Sequence, residues 1–217
     1  MSEWWRYDFA DFLLFSADTY WRLFALHNAD YWPLGAIATV GLIALYVATV
    51  KRWRWTSPAV ALSLAAAWIF VAEAFLAGRY APINWVISDI RLLFLAQAGL
   101  LFALGWRLSF ATRATSGARA LVFLALAYPL LAPLNGREWA QAELVGLAPD
   151  PTAIATLGLV AMARIRLLSW LFMMIPILWL AFSAATLFTM GAATGFVPLV
   201  AIVLALATVV RSHRAGR

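Results

Sequence analysis

Glu73, Asp89 and Arg91 fall inside long apolar runs, where charge is expensive. A carboxylate in hydrocarbon must reach the interface, pair, or take up a proton. Glu73 therefore reads either as a proton or cation site or as the partner of an arginine, and Arg91 on the next run is within reach. Asp89 and Arg91 are two residues apart, so they do not face each other on a helix. Asn84, Arg79, His27, Asp30, Arg137 and Asp150 flank the same ends of these runs. The nine residues are the candidate lining of an outward-facing polar cavity. Glu73, Asp89 and Arg91 form its floor, and Asn84, His27, Asp30 and Arg137 lie at its rim. Such a cavity would suit a small solute, an ion or a proton.

Other chemistry is thin. The chain has no cysteine, which removes disulfides, thiolate metal sites, iron–sulfur clusters and thiol nucleophiles. His27 and His213 are the only histidines and fall at opposite ends, so one chain cannot supply a bis-histidine haem. His27 with Asp30 offers too few ligands for a metal. There is no P-loop, dinucleotide fingerprint, HExxH or GxSxG. No catalytic, cofactor or metal residue is assigned.

The elements that position these groups follow from composition. Of 217 residues, 65% are hydrophobic and 12% charged, and the mean hydropathy is +0.86. A soluble fold of this size cannot hide that much apolar surface. Apolar runs occur at 31–50, 58–77, 86–106, 118–134, 152–163, 167–188 and 191–210. A membrane-crossing helix needs about 20 residues, so the run at 152–163 is short. The expected fold is all-α, a polytopic bundle of seven spans, or six if 152–163 is re-entrant.

Charge separates the two counts. If all seven runs cross, Lys51, Arg52, Arg54, Arg107, Arg113, Arg119, Arg164, Arg166, Arg211, Arg214 and Arg217 share one side, eleven of the sixteen basic residues. No acidic residue joins them. By the positive-inside rule that side is cytoplasmic, which places the N-terminus outside and the C-terminus inside a bacterial inner membrane. The net charge of +6 is then a topology signal and not a nucleic-acid signature.

Residues 1–30 mix acids with aromatics and read as an outer-face interfacial segment. Ser16 caps a short amphipathic helix from about Ala17 to Asn28, and Pro33 opens the first span. The transmembrane domain then covers 31–210, with a basic tail at 211–217. Trp4, Trp5, Trp21, Trp32, Trp85 and Trp139 mark the outer interface, and Trp53, Trp55 and Trp106 the inner one. Asp150-Pro151 reads as an N-cap followed by proline at the first helical position. Gln97, Trp179, Ser183, Thr186 and Thr189 are candidates for bonds between helices. Gly191 and Gly195 mark close packing or a turn.

Four patches together carry a resemblance: Phe15-Ser16-Ala17-Asp18-Thr19-Tyr20 leading to His27-Asn28-Ala29-Asp30-Tyr31-Trp32-Pro33; Ala81-Pro82-Ile83-Asn84; Tyr128-Pro129-Leu130-Leu131; and Gly146 to Thr152 running into Thr156-Leu157-Gly158-Leu159. Their order and spacing resemble a family of small multi-pass bacterial membrane proteins, domain of unknown function family 6064. The resemblance implies a single membrane domain with no assigned activity. It also implies a shared outer-face feature at Asn28, Asp30, Trp32, Pro33, Asn84 and Thr152. Members tend to carry Pro-Cys-Pro-Thr-Thr where this chain has Pro149-Asp150-Pro151-Thr152-Ala153, so no thiol role carries over.

Three functions are open at this stage. One is a small-solute or ion/proton-coupled transporter or binding protein. Another is an accessory or assembly subunit of a larger membrane complex, with other subunits or a second copy as partners. The third is an outer-leaflet enzyme. The bilayer is the expected partner in each case and nucleic acid in none.

Overall fold

The computed structural model describes residues 15–110, 115–164 and 166–215. The acids and aromatics expected to matter before position 15, together with Arg113 and Arg217, lie outside the described residues. The described chain is almost entirely helical. Its elements are α1 (Ala17–Lys51), α2 (Thr56–Phe70) continued by a π-helix (Val71–Tyr80), α3 (Ile87–Leu104), α4 (Ser116–Ala127), a one-turn α5 (Leu131–Leu134), α6 (Pro149–Val160), α7 (Arg166–Thr189) and α8 (Phe196–Ala215).

Among the described residues, six helical segments are long and apolar enough to cross a bilayer: Ala17–Lys51, Thr56–Tyr80, Ile87–Arg107, Ser116–Leu134, Leu167–Thr189 and Ala193–Arg211. The molecule is a multi-pass membrane protein. Ile37, Val40, Leu62, Phe102, Phe123 and Val203 stand exposed on the flanks of the bundle. In water such a surface would be a liability; in hydrocarbon it is lipid contact.

The expected short helix and first span are one helix. Ser16 caps it as its side chain implies, accepting the Thr19 N–H at 3.2 Å. The helix then runs through Pro33 without a break to Lys51, 35 residues in all. Proline there removes one backbone bond to residue 29, and the helix continues past it. The basic tail also extends a helix, since α8 reaches Ala215.

α6 has only 12 residues, about 18 Å of helix. It nevertheless ends far from where it begins. Its C-terminal side bridges Ala163 to Phe110, and the Arg164 N–H donates to the Ser109 carbonyl at 2.7 Å. The end of α3 is thus the end of α6. The loop 135–148 and α6 together return the chain to the end of the bundle that holds Lys51, Arg52, Arg54, Arg107, Arg119, Arg164 and Arg211. All 12 residues of α6 are buried, with α4, α7, α2, α8 and α1 around it.

Two polar details lock this core. Pro176 lies inside α7 and has no N–H to offer the Phe172 carbonyl. Gln97 of α3 donates to that carbonyl at 3.0 Å. The Trp68 indole of α2 donates to Thr156 of α6 at 2.9 Å. Thr186 and Thr189, by contrast, bond carbonyls of their own helix. Gly191 sits in a turn with φ +70.

Candidate functional site

The second half of the loop 135–148, from Ala142 on, reaches the interior because α1 makes room for it. Gly35 faces Leu144 and Leu147, and Gly146 faces Ala38. Gly146 has φ +80, and a Cβ there would come within 2.7 Å of the Ala38 Cβ, so only glycine fits. Asn28 holds the loop from above, donating to the Ala140 and Ala142 carbonyls at 2.8 and 2.7 Å. Thr152 closes it from below. Its hydroxyl accepts the Gly146 N–H at 2.8 Å and donates to the Ala148 carbonyl at 2.7 Å. Buried backbone outside a helix needs such partners for its N–H and C=O groups.

At the base of the loop lies Asp150. It is not the N-cap of α6; Ala148 holds that position and Pro149 is the first helical residue. Asp150 sits in the first turn, where the helix dipole favours a negative charge. Its side chain does not cap the helix but turns to three donors. The Tyr128 hydroxyl donates to Oδ2 at 2.8 Å, the Ser183 hydroxyl donates to the same oxygen at 2.6 Å, and the Trp179 indole N–H donates to Oδ1 at 2.7 Å. Trp179 and Ser183 are four apart on α7 and so share a face. Tyr128 lies where α4 gives way to a 3₁₀ turn at Tyr128–Leu130. Burial raises the Asp150 pKa above the ordinary aspartate range, and the three donors, which suit its charged form, oppose that rise.

Above Asp150, Arg137 and Glu143 face each other inside the protein, with Arg137 Nη2 3.9 Å from Glu143 Oε1. Both side chains are at least nine-tenths covered. The Arg137 guanidinium lies 3.6 Å from the centre of the Trp21 ring, a cation–π arrangement. Its Nε and Nη1 are buried without a hydrogen-bond partner. Burial raises the Glu143 pKa well above the ordinary glutamate range; Asp150 pushes the same way, and Arg137 opposes both. Burial also lowers the Arg137 pKa, against the pull of Glu143.

Aromatic rings seal this centre from the side. Tyr20 packs against Tyr80 at 5.5 Å and Phe24 against Phe75 at 4.7 Å. The π-helix makes this possible. Its wider turn brings Val71, Phe75, Leu76 and Tyr80 to one buried side, whereas α-helical spacing would carry Tyr80 off it.

The nine residues expected to line one cavity fall into several places. Arg137 and Asp150 lie in the interior described above. Glu73 and Arg91 form a bidentate pair, with Arg91 Nη2 2.7 and 2.9 Å from the two Glu73 oxygens. They sit on the outside of the bundle, with side chains 46% and 35% exposed. Asp30 and Arg79 form a second ion pair, also toward the outside. Asp89 is exposed in the first turn of α3. Asn84 accepts the Val86 N–H at 3.2 Å and shapes its own turn. His27 is 1% exposed among Tyr31, Phe70 and Phe75, and neither ring nitrogen has a partner.

Sequence reasoning did not single out Glu143, Tyr128, Trp179 and Ser183 as one constellation. The available signal was the i, i+4 spacing of Trp179 and Ser183 on an apolar helix. Chemically, the two buried carboxyl groups, both with raised pKa, give the interior centre places to hold a proton. No curated protein and no solved structure matches the chain. A family of unknown function, DUF6064, matches residues 17–217, and the chain belongs to that family.

Proposed function

We propose that the protein is a proton-coupled carrier of a small solute or ion, with Glu143 as the residue that takes and releases the proton. The observation behind this reading is the full set of donors on Asp150. Tyr128, Trp179 and Ser183 favour its charged form against the burial that raises its pKa; in this reading it stays charged, and Asp150 and Arg137 balance each other. A charged Glu143 would then leave an uncompensated negative charge in a covered interior, and a protonated one leaves none. Ionisable groups at membrane depth commonly mark ion or proton paths. A short helix whose N-terminus points into the bundle is a common way to build such a site. In this reading the basic end is cytoplasmic and the Arg137 end faces outward across a bacterial inner membrane.

Two measurements test it. Infrared spectra of the purified protein should contain a protonated-carboxyl band that fades as pH rises. The band should be absent from Glu143→Gln and present in Glu73→Gln. In proteoliposomes with a trapped pH dye, proton entry under an imposed gradient should fall toward the empty-liposome rate in Glu143→Gln and stay unchanged in Glu73→Gln. A band that survives in Glu143→Gln, or equal fluxes in the two variants, would overturn the reading.

One observation favours a second reading, an assembly subunit. The Glu73–Arg91 pair is exposed on the flank of the bundle, where a neighbouring subunit would cover it. Mild-detergent purification with a partner or a second copy, lost on Arg91→Ala, would support it.

A further inference from the structure

A groove runs along α8 and the start of α4, with a cavity of about 760 Å³. Its walls are apolar, chiefly Phe196, Leu199, Val200 and Val203. At one end lie Ser116 and Arg211, both exposed. The floor at that end is tight, because Gly117 lets α4 approach α8; a Cβ on it would strike the Thr208 hydroxyl. From Phe196 to Arg211 the helix rises about 22 Å, most of the roughly 30 Å hydrocarbon core.

We infer that this groove binds one anionic phospholipid, with its phosphate at Arg211 and Ser116 and an acyl chain along α8 toward Phe196. The shape is that of a lipid: a long apolar slot closed by a cation. The charge agrees, since the groove opens at the end of the bundle that gathers the basic residues, and no described acidic residue lies at that end. Basic pockets between membrane helices on the cytoplasmic side are where anionic headgroups settle. A guanidinium also matches a phosphate better than a zwitterionic headgroup, whose own cation would compete. The site is separate from Arg137, Glu143 and Asp150, and does not depend on their role.

The test is native mass spectrometry of the whole protein, titrated in turn with phosphatidylglycerol and phosphatidylcholine. The wild type should hold one phosphatidylglycerol in preference to phosphatidylcholine. Arg211→Gln should cut that preference by about fivefold, the share of one cation near an anionic headgroup. Val203→Trp, which fills the groove from an exposed position, should lower binding of both lipids. Arg22→Gln, at the other end of the bundle, should change neither. Equal binding of the two lipids by the wild type would overturn the inference. So would wild-type binding by both groove variants, or binding lost equally in Arg22→Gln.

Discussion

The Tyr128 hydroxyl and the Asp150 carboxylate, 22 residues apart, meet at 2.8 Å and tie the end of α4 to the first turn of α6. Two further donors reach the same carboxylate from α7, so three elements converge on one side chain. Removing the acceptor strands all three donors. Asp150→Ala is expected to cost more than about 3 kcal/mol, and Tyr128→Phe about 1.5–3 kcal/mol, the range for a bond to a charged group. Melting of the detergent-solubilised variants, followed by tryptophan fluorescence, checks the order.

Gly146 and Gly136 both have positive φ, but only Gly146 is crowded. Gly136→Ala should cost about 1 kcal/mol of backbone strain alone. Gly146→Ala should cost clearly more, because its Cβ must also displace Ala38. Equal melting temperatures for the two variants would refute the claim that α1 and the loop are in close approach.

Gln97 and Pro176 make a thermodynamic cycle. Gln97→Ala leaves the Phe172 carbonyl with neither a helical nor a side-chain donor, at about 1–3 kcal/mol. In a Pro176→Ala background residue 176 regains its N–H, and the same Gln97→Ala change should cost about 1 kcal/mol less. A cost that is identical in both backgrounds would mean that the carbonyl is satisfied in some other way.

Glu143 gives the fold a pH dependence with a definite sign. Its pKa in the folded protein is raised by burial, so the folded state prefers the proton-bound form. That preference is fully expressed below the ordinary glutamate pKa and is lost as pH rises through the raised value. The wild type should therefore lose melting temperature on alkalinisation, and Glu143→Gln, a permanent mimic of the neutral form, should flatten that slope. A steeper slope in the variant would reverse the assignment.

Much of the architecture could be read directly from residue order. Long apolar runs mark the six long helices, Ser16 announces its cap, and Gln97 lies where a bond between helices was expected. The Glu73–Arg91 pair follows from the cost of leaving either charge alone in hydrocarbon. The interior centre was harder to see for a physical reason. Charge sorting assigns a residue to one end of the bundle but says nothing of depth. Glu143 belongs to a polar segment that reads as an outer loop. It lies inside because Gly35 and Ala38, more than a hundred residues earlier, leave a hollow that Leu144 to Leu147 fill. Asp150 reads as a cap from its local sequence for a related reason. Its three partners come from α4 and α7, and no local pattern around position 150 encodes them. The single helix through Pro33 likewise runs against the local preference for a break.

A helix covered on every side has a consequence for how the molecule is made. α6 presents no face to lipid, is too short to cross alone, and carries a carboxylate in its first turn. During synthesis it has no resting place in the bilayer comparable to those of its neighbours, each of which can float with an apolar flank outward. Its place is completed only when α7, which follows it from the ribosome, brings Trp179 and Ser183 to Asp150. The last membrane helices thus finish a core that the middle of the chain begins, and nascent chains stopped before Ser183 would hold α6 unseated.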